Sequence, residues 1–177
     1  EGNNYTIDGS TITPVLNFSG SLTVPIELSE GDNYVPFDLQ VSVTPVNDDP
    51  IIENLPDTAT DEDTDLELDL SYYASDVDGD PLTFFAESDN NFVSIIIDGD
   101  RLIATPSDNY FGVANVTVRV RDIHLEEDSD SFVLYIEPVN DPPELIPIED
   151  QESDEDTPLT IDILGSDLDT GSGPGDE

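Results

Sequence analysis

The chain contains no cysteine, no lysine, one histidine and three arginines. Without cysteine no disulfide can staple the fold, and a thiolate can serve neither as metal ligand nor as nucleophile. With His124 as the only imidazole, zinc is poorly served. Hydrophobic runs are short, and none approaches the roughly 20 residues of a membrane span. No signal peptide is visible, and the chain reads as a piece cut from a longer protein. Against this scarcity stand 43 Asp+Glu, which leave a formal net charge of −40 on 177 residues. Such a charge excludes a nucleic-acid backbone or an anionic membrane surface as partner and makes cations, bulk or specific, the natural ones. Acidic chains with few aromatics are often disordered. Here, however, the 36% apolar content is gathered in runs such as VSIII, NVTVRV and FVLYI, which can build a core.

The sequence repeats itself. PVNDDP at 45–50 returns as PVNDPP at 138–143, and DEDT at 61–64 returns at 154–157, both 93 residues on. SDVD at 75–78 returns as SDLD at 166–169. Upstream, IDGSTITP at 7–14 echoes IDGDRLIATP at 97–106, and NFSG at 17–20 echoes NYFG at 109–112. Several anchors recurring in one order define an internal repeat. Residues 1–48 are the back of one unit, 49–141 a whole one, and 142–177 the front of a third. The whole unit reads as all-β, with strands expected at 51–55, 66–70, 82–86, 92–97, 102–105, 113–121 and 132–138. Seven short strands bounded by Gly, Pro and Asp turns predict an immunoglobulin-like antiparallel sandwich. By the same division 1–48 supplies four closing strands and 142–177 two opening ones. Neither piece buries a full core alone, so the ends are expected to fray or to complement one another between molecules. The tail GSGPGDE is expected to be disordered.

Strand parity then assigns the acidic loops to two ends. In a sandwich whose strands reverse in turn, Asp76, Asp78, Asp80 and Asp122 lie at the end where the unit begins, so Asn47, Asp48 and Asp49 approach them. Glu62, Asp108, Asn140 and Asp141 lie at the other end, facing Asp167 and Asp169 of the next unit. Converging carboxylate and amide oxygens suit calcium, which takes 6–8 oxygens at about 2.3–2.6 Å in irregular geometry; magnesium demands a stricter octahedron. An EF-hand is excluded, because Pro81 occupies the obligatory glycine position after Asp76-x-Asp78-x-Asp80 and strands flank the segment.

These residues resemble the cadherin superfamily, and within it the bacterial cadherin-like tandem repeats of large surface proteins. ASDVDGD resembles the start of the Ala-x-Asp-x-Asp-x-Gly stretch, PVNDDP and PVNDPP the Asp-x-Asn-Asp-Asn-x-Pro linker, and VRVRD the Val-x-Ala-x-Asp strand end. Glu62 matches an acidic residue near the repeat's start. Pro45 and Pro138 replace the linker's first Asp, and PSDNYFG stands where Leu-Asp-Arg-Glu is usual, leaving Asp108 as the only substitute. The resemblance implies interdomain calcium, fewer than three ions per junction, stiffening an extended extracellular rod.

Blander readings accompany each motif. Asp76, Asp78 and Asp80 form either a ligand set or a solvated turn, and DEDT either a strand-entry loop or a ligand set. Asp98 and Asp100 are read as a hairpin turn, LEEDSDS at 125–131 as a solvated loop, and His124 as an exposed loop residue. Arg119 and Arg121 alternate on one strand face and are expected to neutralise nearby carboxylates. The leading function is a non-enzymatic calcium-binding extender or adhesion module at a cell surface. Its partners would be calcium, neighbouring repeats and another copy of itself. The alternatives are a carbohydrate-binding module, with Tyr72, Tyr73, Phe84 and Phe85 as candidate aromatics for a surface polysaccharide, and a halophilic acidic spacer without specific metal sites. No nucleophile motif points to an enzyme.

Overall fold

The computed structural model describes residues 4–167. The N-terminal portion is two hairpins. β1 (Tyr5–Asp8) pairs with β2 (Thr11–Pro14), and β3 (Gly20–Glu30) pairs with β4 (Asn33–Val43) along its whole length. Tyr5, Leu22 and Val24 are buried there, with Phe18, Leu39 and Val41 packed against them.

Residues 51–137 form the sandwich. Its strands are β5 (Ile51–Ile52), β6 (Thr58–Asp61), β7 (Leu66–Asp69), β8 (Ala74–Ser75), β9 (Thr83–Ser88), β10 (Val93–Asp98), β11 (Arg101–Pro106), β12 (Gly112–Arg121) and β13 (Glu127–Glu137). One sheet runs β6-β13-β12-β9, antiparallel except for β6, which lies parallel to β13. The other runs β10-β11-β7, and β5 pairs with β8. The only helical turn among the described residues is the 3-10 turn Leu70–Tyr72, capped by the Asp69 side chain on Ser71 N–H. Alternation in β12 is complete: Ala114, Val116, Val118 and Val120 are buried while Asn115, Thr117 and Arg119 face water. Phe132, Leu134 and Ile136 of β13 continue that inner face, and Leu70, Val93, Leu102 and Ala104 oppose it. Each buried Val, Leu, Ile or Phe among them contributes about 1.5–3 kcal/mol over an exposed one.

Two expectations are corrected. The opening strand is not continuous from 51 to 55. Asn54 turns left-handed at φ 62° and Pro56 lacks an N–H, so pairing with the β8 side ends at Glu53, whose N–H donates to Tyr73 O at 3.0 Å, and resumes in the other sheet as β6. Thr58–Asp61 carries no large apolar side chain, and nothing in its pattern announces a strand. The second correction concerns 127–131, which is not a loop but the first half of β13, paired with Thr117–Arg121. Asp128 and Asp130 there point toward the 52–55 segment. Asp128 accepts from Ile52 N–H at 2.9 Å, Asp130 accepts from Leu55 N–H at 3.0 Å, and Asp57 accepts from Val133 N–H at 2.8 Å. Carboxylates thus replace the missing ladder where β5 breaks off. Asp130→Ala is expected to cost about 1–2 kcal/mol by leaving Leu55 N–H unmatched, against near zero for exposed Asp108→Ala, read by urea unfolding. Equal effects would refute the clasp.

The C-terminal portion adds β14 (Glu144–Leu145) paired with β15 (Gly165–Ser166). Left-handed residues recur at matching positions along the chain: Gly9 and Gly99, Asn17 and Asn109, Gly20 and Gly112, Asp63 and Asp156. Asp98 and Arg101 pair across the Gly99 turn, a plain hairpin as expected. Asp169 and the tail 171–177 lie outside the described residues.

Candidate metal centre

Asp76 follows directly on β8, and its Oδ1 accepts the N–H groups of Asp78 at 2.8 Å and Asp80 at 3.2 Å. Gly79, at φ 78°, closes the same turn by donating to Asp76 O at 3.3 Å. One carboxylate oxygen therefore organises the whole DVDGD segment. Across from it Asp122 leaves β12, and its Oδ1 accepts from the N–H groups of His124 and Glu126, both at 2.9 Å. The Asp122 N–H donates to Glu126 O at 3.2 Å, which locks that loop, with Leu125 held left-handed at φ 73°.

These two loops bring carboxylate oxygens of Asp76, Asp80 and Asp122 within 4.8 Å of one another. Asp122 is 4% exposed. Asp76 Oδ2 is buried and finds no hydrogen-bond partner among the described residues. For Asp76 and Asp80 alone, like charges at this spacing repel by about 1 kcal/mol even in water. The segment leaving β4 arrives at the same place. Asn47 Nδ2 donates to Asp122 Oδ2 at 2.8 Å, and Asp48 N–H donates to Asp78 Oδ2 at 2.8 Å. Burial pushes the Asp122 carboxyl up, but the hydrogen bonds from Asn47 and from the Glu126 and His124 N–H groups outweigh it and hold it below the usual range. His124 is exposed, as expected of a loop residue, yet its Nε2 lies 3.6 Å from Asp80 Oδ2. Nothing in the sequence pattern placed it at this cluster. Asp49 is exposed beside the buried Pro50.

Residues 47–134 match the family model of the bacterial Ig domain. This segment is a bacterial Ig domain. No curated protein matches the chain in sequence. In fold the chain is similar to human mucin-like protocadherin EC1-2 at 20% identity and a TM-score of 0.50, covering 77% of this chain and 79% of that one. It is similar to the protocadherin gammaB4 extracellular domain at 16% identity and TM-score 0.54, over 97% of this chain and 34% of the other. The protocadherin gammaB7 EC3-6 cis-dimer structure follows at 14% and 0.52, over 97% and 50%. The chain thus spans between a third and four fifths of these three, and about a quarter of four further structures matched at lower scores. At such identities the likeness is one of fold: the bacterial Ig domain here is cadherin-like.

The opposite end of the Ig domain is built differently. Glu62 is buried, its Oε1 accepts from Val139 N–H at 2.7 Å, and its own N–H donates to Glu137 O at 2.8 Å. Glu62 therefore ties down the chain as it leaves β13. Asp63 Oδ1 accepts from Asn109 N–H at 2.8 Å, an acceptor the sequence reading did not single out. Asn140 is exposed and turns its Nδ2 to Asp141 O at 3.0 Å. Asp108 is exposed, and Asp141 and Asp167 are half-buried. Among the described residues these groups do not converge as the first trio does.

On the outer face of the Ig domain Arg119 and Arg121 both pair with Glu127, and both guanidiniums lie over the Phe85 ring, 5.4 and 4.7 Å from its centroid. Phe85 is therefore covered rather than open for sugar stacking. Phe84 is buried, Tyr73 is half-buried, and Tyr72 alone of the four candidate aromatics is widely exposed. No helix among the described residues is long and apolar enough to cross a membrane.

Asp89, remote from the trio, accepts from Asn115 Nδ2 at 2.7 Å and from its N–H at 2.8 Å. First the side-chain bond and then the backbone bond hold its carboxyl below the usual value. Its stabilising contribution is therefore present above the unfolded value of about 3.9 and is lost as pH falls through the lower folded value. Asp89→Asn is expected to flatten the acid limb of the stability–pH curve below about pH 4. An acid limb identical to that of the parent chain would exclude Asp89 as its source.

Proposed function

We propose that this chain is a calcium-stiffened, non-catalytic extender of a surface or secreted protein, built of tandem cadherin-like units divided near residues 48 and 141. The observation that carries this reading is the buried, unpartnered Asp76 Oδ2 beside the carboxylates of Asp80 and Asp122. A hard cation at that point would take oxygens from the trio, from Asp78 and from the Asn47 amide, with water completing the shell. Because Asn47 and Asp48 belong to the segment leading out of β4, a bound ion would fasten the N-terminal hairpins to the Ig domain. Glu62, Asp108, Asn140, Asp141, Asp167 and Asp169 are proposed as the looser counterpart at the far end. The carboxylates gather at a junction rather than facing each other across a substrate cleft, which supports a mechanical role.

Titration of calcium into the chelator-treated chain, followed by calorimetry, tests this. Binding in the range of about 10⁻⁴–10⁻³ M, usual for extracellular modules, is expected, with magnesium much weaker. Heats no larger than those of sodium chloride at matched ionic strength would overturn the reading in favour of a generally acidic, salt-solvated spacer.

A further inference from the structure

Four strands of the Ig domain stand at sheet edges: β6 and β9 in one sheet, β7 and β10 in the other. Every strand of both sheets lies within 51–137, so these edges belong to the domain itself. An open edge offers unpaired N–H and C=O groups to any extended chain, and natural proteins blunt it with charge, proline or shortness. Three of the four edges are blunted in this way. β6 is four residues long, follows Pro56 and ends at Asp61. β7, also four residues, carries Glu67 and Asp69. β9 follows Pro81 and carries Glu87. β10 has none of these devices. It is six residues long, and its only charge is Asp98 at the turn. Residues 90–97 hold no charge and no proline, in a chain of which 26% is charged. No left-handed residue bends the strand, and its register with β11 runs unbroken from Val93 to Asp98.

The pairing of β10 leaves particular groups open. Asp98 and Arg101 close a two-residue turn, and the closing pair of such a turn is hydrogen-bonded. Alternation then turns the main-chain groups of Asp98, Ile96 and Ser94 toward β11 and those of Ile97, Ile95 and Val93 outward. Of these outward N–H groups, that of Val93 already donates to Asn90 O at 3.1 Å. The N–H groups of Ile95 and Ile97 face the side on which no strand pairs with β10. On the solvent face Ile96 is 58% exposed and Ile103 across from it is half-buried, so an apolar surface borders the open edge.

We propose that β10 docks against β10 of a second copy of this chain, antiparallel about a twofold axis at Ile95. In that arrangement Ile95 N–H donates to the partner's Ile95 O, and Ile97 N–H donates to the partner's Val93 O, each bond repeated by the axis. Both open N–H groups are then matched, and the Val93 N–H, held by Asn90 O, is not called on. The three-stranded sheet β7-β11-β10 becomes six-stranded across the two copies. Self-pairing also suits the charge. A chain of −40 repels its own copies, and 90–97 is a stretch where two copies meet without setting carboxylate against carboxylate. The β7 and β9 edges, with Glu67, Asp69 and Glu87, do not allow this. A contact made by one strand of six residues is small beside the roughly 20–30 residues a side of a stable interface, so the dimer is weak. It strengthens as salt screens the remaining charge.

Sedimentation in chelator tests this apart from any calcium site. The mean mass is expected to rise with concentration, and more steeply in about 1 M sodium chloride, where the Debye length is about 3 Å. Ile95→Pro removes the N–H on the axis and spares every bond between β10 and β11. Ile96→Asp puts a carboxylate beside the uncharged edge at an exposed position. Both variants should stay monomeric while keeping a cooperative urea transition. Ala59→Asp, exposed on the β6 edge, should associate like the parent. Register can be read directly, since the chain has no cysteine of its own. The axis sets Ser94 opposite the partner's Ile96 as a non-hydrogen-bonded pair, with Cα atoms about 4.5 Å apart and within disulfide reach. A mixture of Ser94→Cys and Ile96→Cys chains should therefore cross-link under oxidant much faster than either alone, whose thiols stand two residues out of register. A parent chain monomeric up to millimolar concentration would overturn the proposal and leave the edge to an extended segment of another protein. An Ile96→Asp chain that associates like the parent, an Ala59→Asp chain that does not associate, or equal cross-linking of the mixture and the single variants would each overturn it as well.

Discussion

Gly112→Ala is expected to destabilise the Ig domain by about 3 kcal/mol. Gly112 opens β12 at φ 148°, a conformation that side-chain-bearing residues avoid. An added Cβ would lie 2.7 Å from Tyr110 Oη and 3.2 Å from its Cζ. The tyrosine cannot readily yield. Its hydroxyl accepts from Asn90 Nδ2 at 2.5 Å, and the same amide group donates to Val113 O at 3.0 Å. Its ring stacks on Phe92 with centroids 4.9 Å apart and planes 10° from parallel. Backbone strain of about 1–3 kcal/mol and an overpacking term of similar size therefore act together. Gly20→Ala is the internal control. There φ is 121°, but the nearest atom, Phe18 Cζ, would be 3.9 Å from the new Cβ, so strain acts without a clash. Urea midpoints decide the matter: a Gly112→Ala shift no larger than that of Gly20→Ala would mean that the aromatic gives way and the clash is not real.

The NFSG and NYFG echo shows what kind of information the sequence carried. Both stretches place an aromatic ring over a left-handed glycine, Phe18 over Gly20 and Tyr110 over Gly112, with a left-handed Asn three residues before. The two DEDT stretches make the same turn around Asp63 and Asp156. Features set by local chemistry, such as turns, glycines and alternation, were legible. So was the meeting of Asn47 with Asp122, because strand direction alone decides which loops share an end. What escaped depends on partners distant in the chain. β6 exists because β13 offers it a parallel edge, and Thr58–Asp61 has no intrinsic mark of a strand. Residues 127–131 look like solvated loop by composition, yet Asp128 and Asp130 are needed where they stand because β5 breaks off opposite them. His124 joins the trio only through the fold of the Asp122 loop, which no spacing rule reveals.

Asp76→Asn is expected to act in opposite directions with and without metal. In chelator, the substitution removes one charge from a trio of mutually repelling carboxylates. The amide keeps an oxygen to accept from the Asp78 and Asp80 N–H groups, and its nitrogen can donate to a neighbouring carboxylate from the position of the buried Asp76 Oδ2. The metal-free variant should therefore be more stable than the parent by about 1 kcal/mol, the repulsion relieved. With calcium the order inverts. For a site of about 10⁻⁴–10⁻³ M, adding about 10 mM calcium stabilises the parent chain by about 1.4–2.7 kcal/mol, since RT ln(1 + [L]/Kd) grows with saturation. The variant, lacking a charged ligand at the centre, should gain little. Asp108→Asn, at an exposed carboxylate away from the trio, should follow the parent in both conditions. Thermal unfolding of the three chains in chelator, in calcium and in sodium chloride at matched ionic strength would display the crossing. If Asp76→Asn weakens the chelated chain as well, then Asp76 serves the turn rather than a cation, and the repelling trio is held together by the two loops alone.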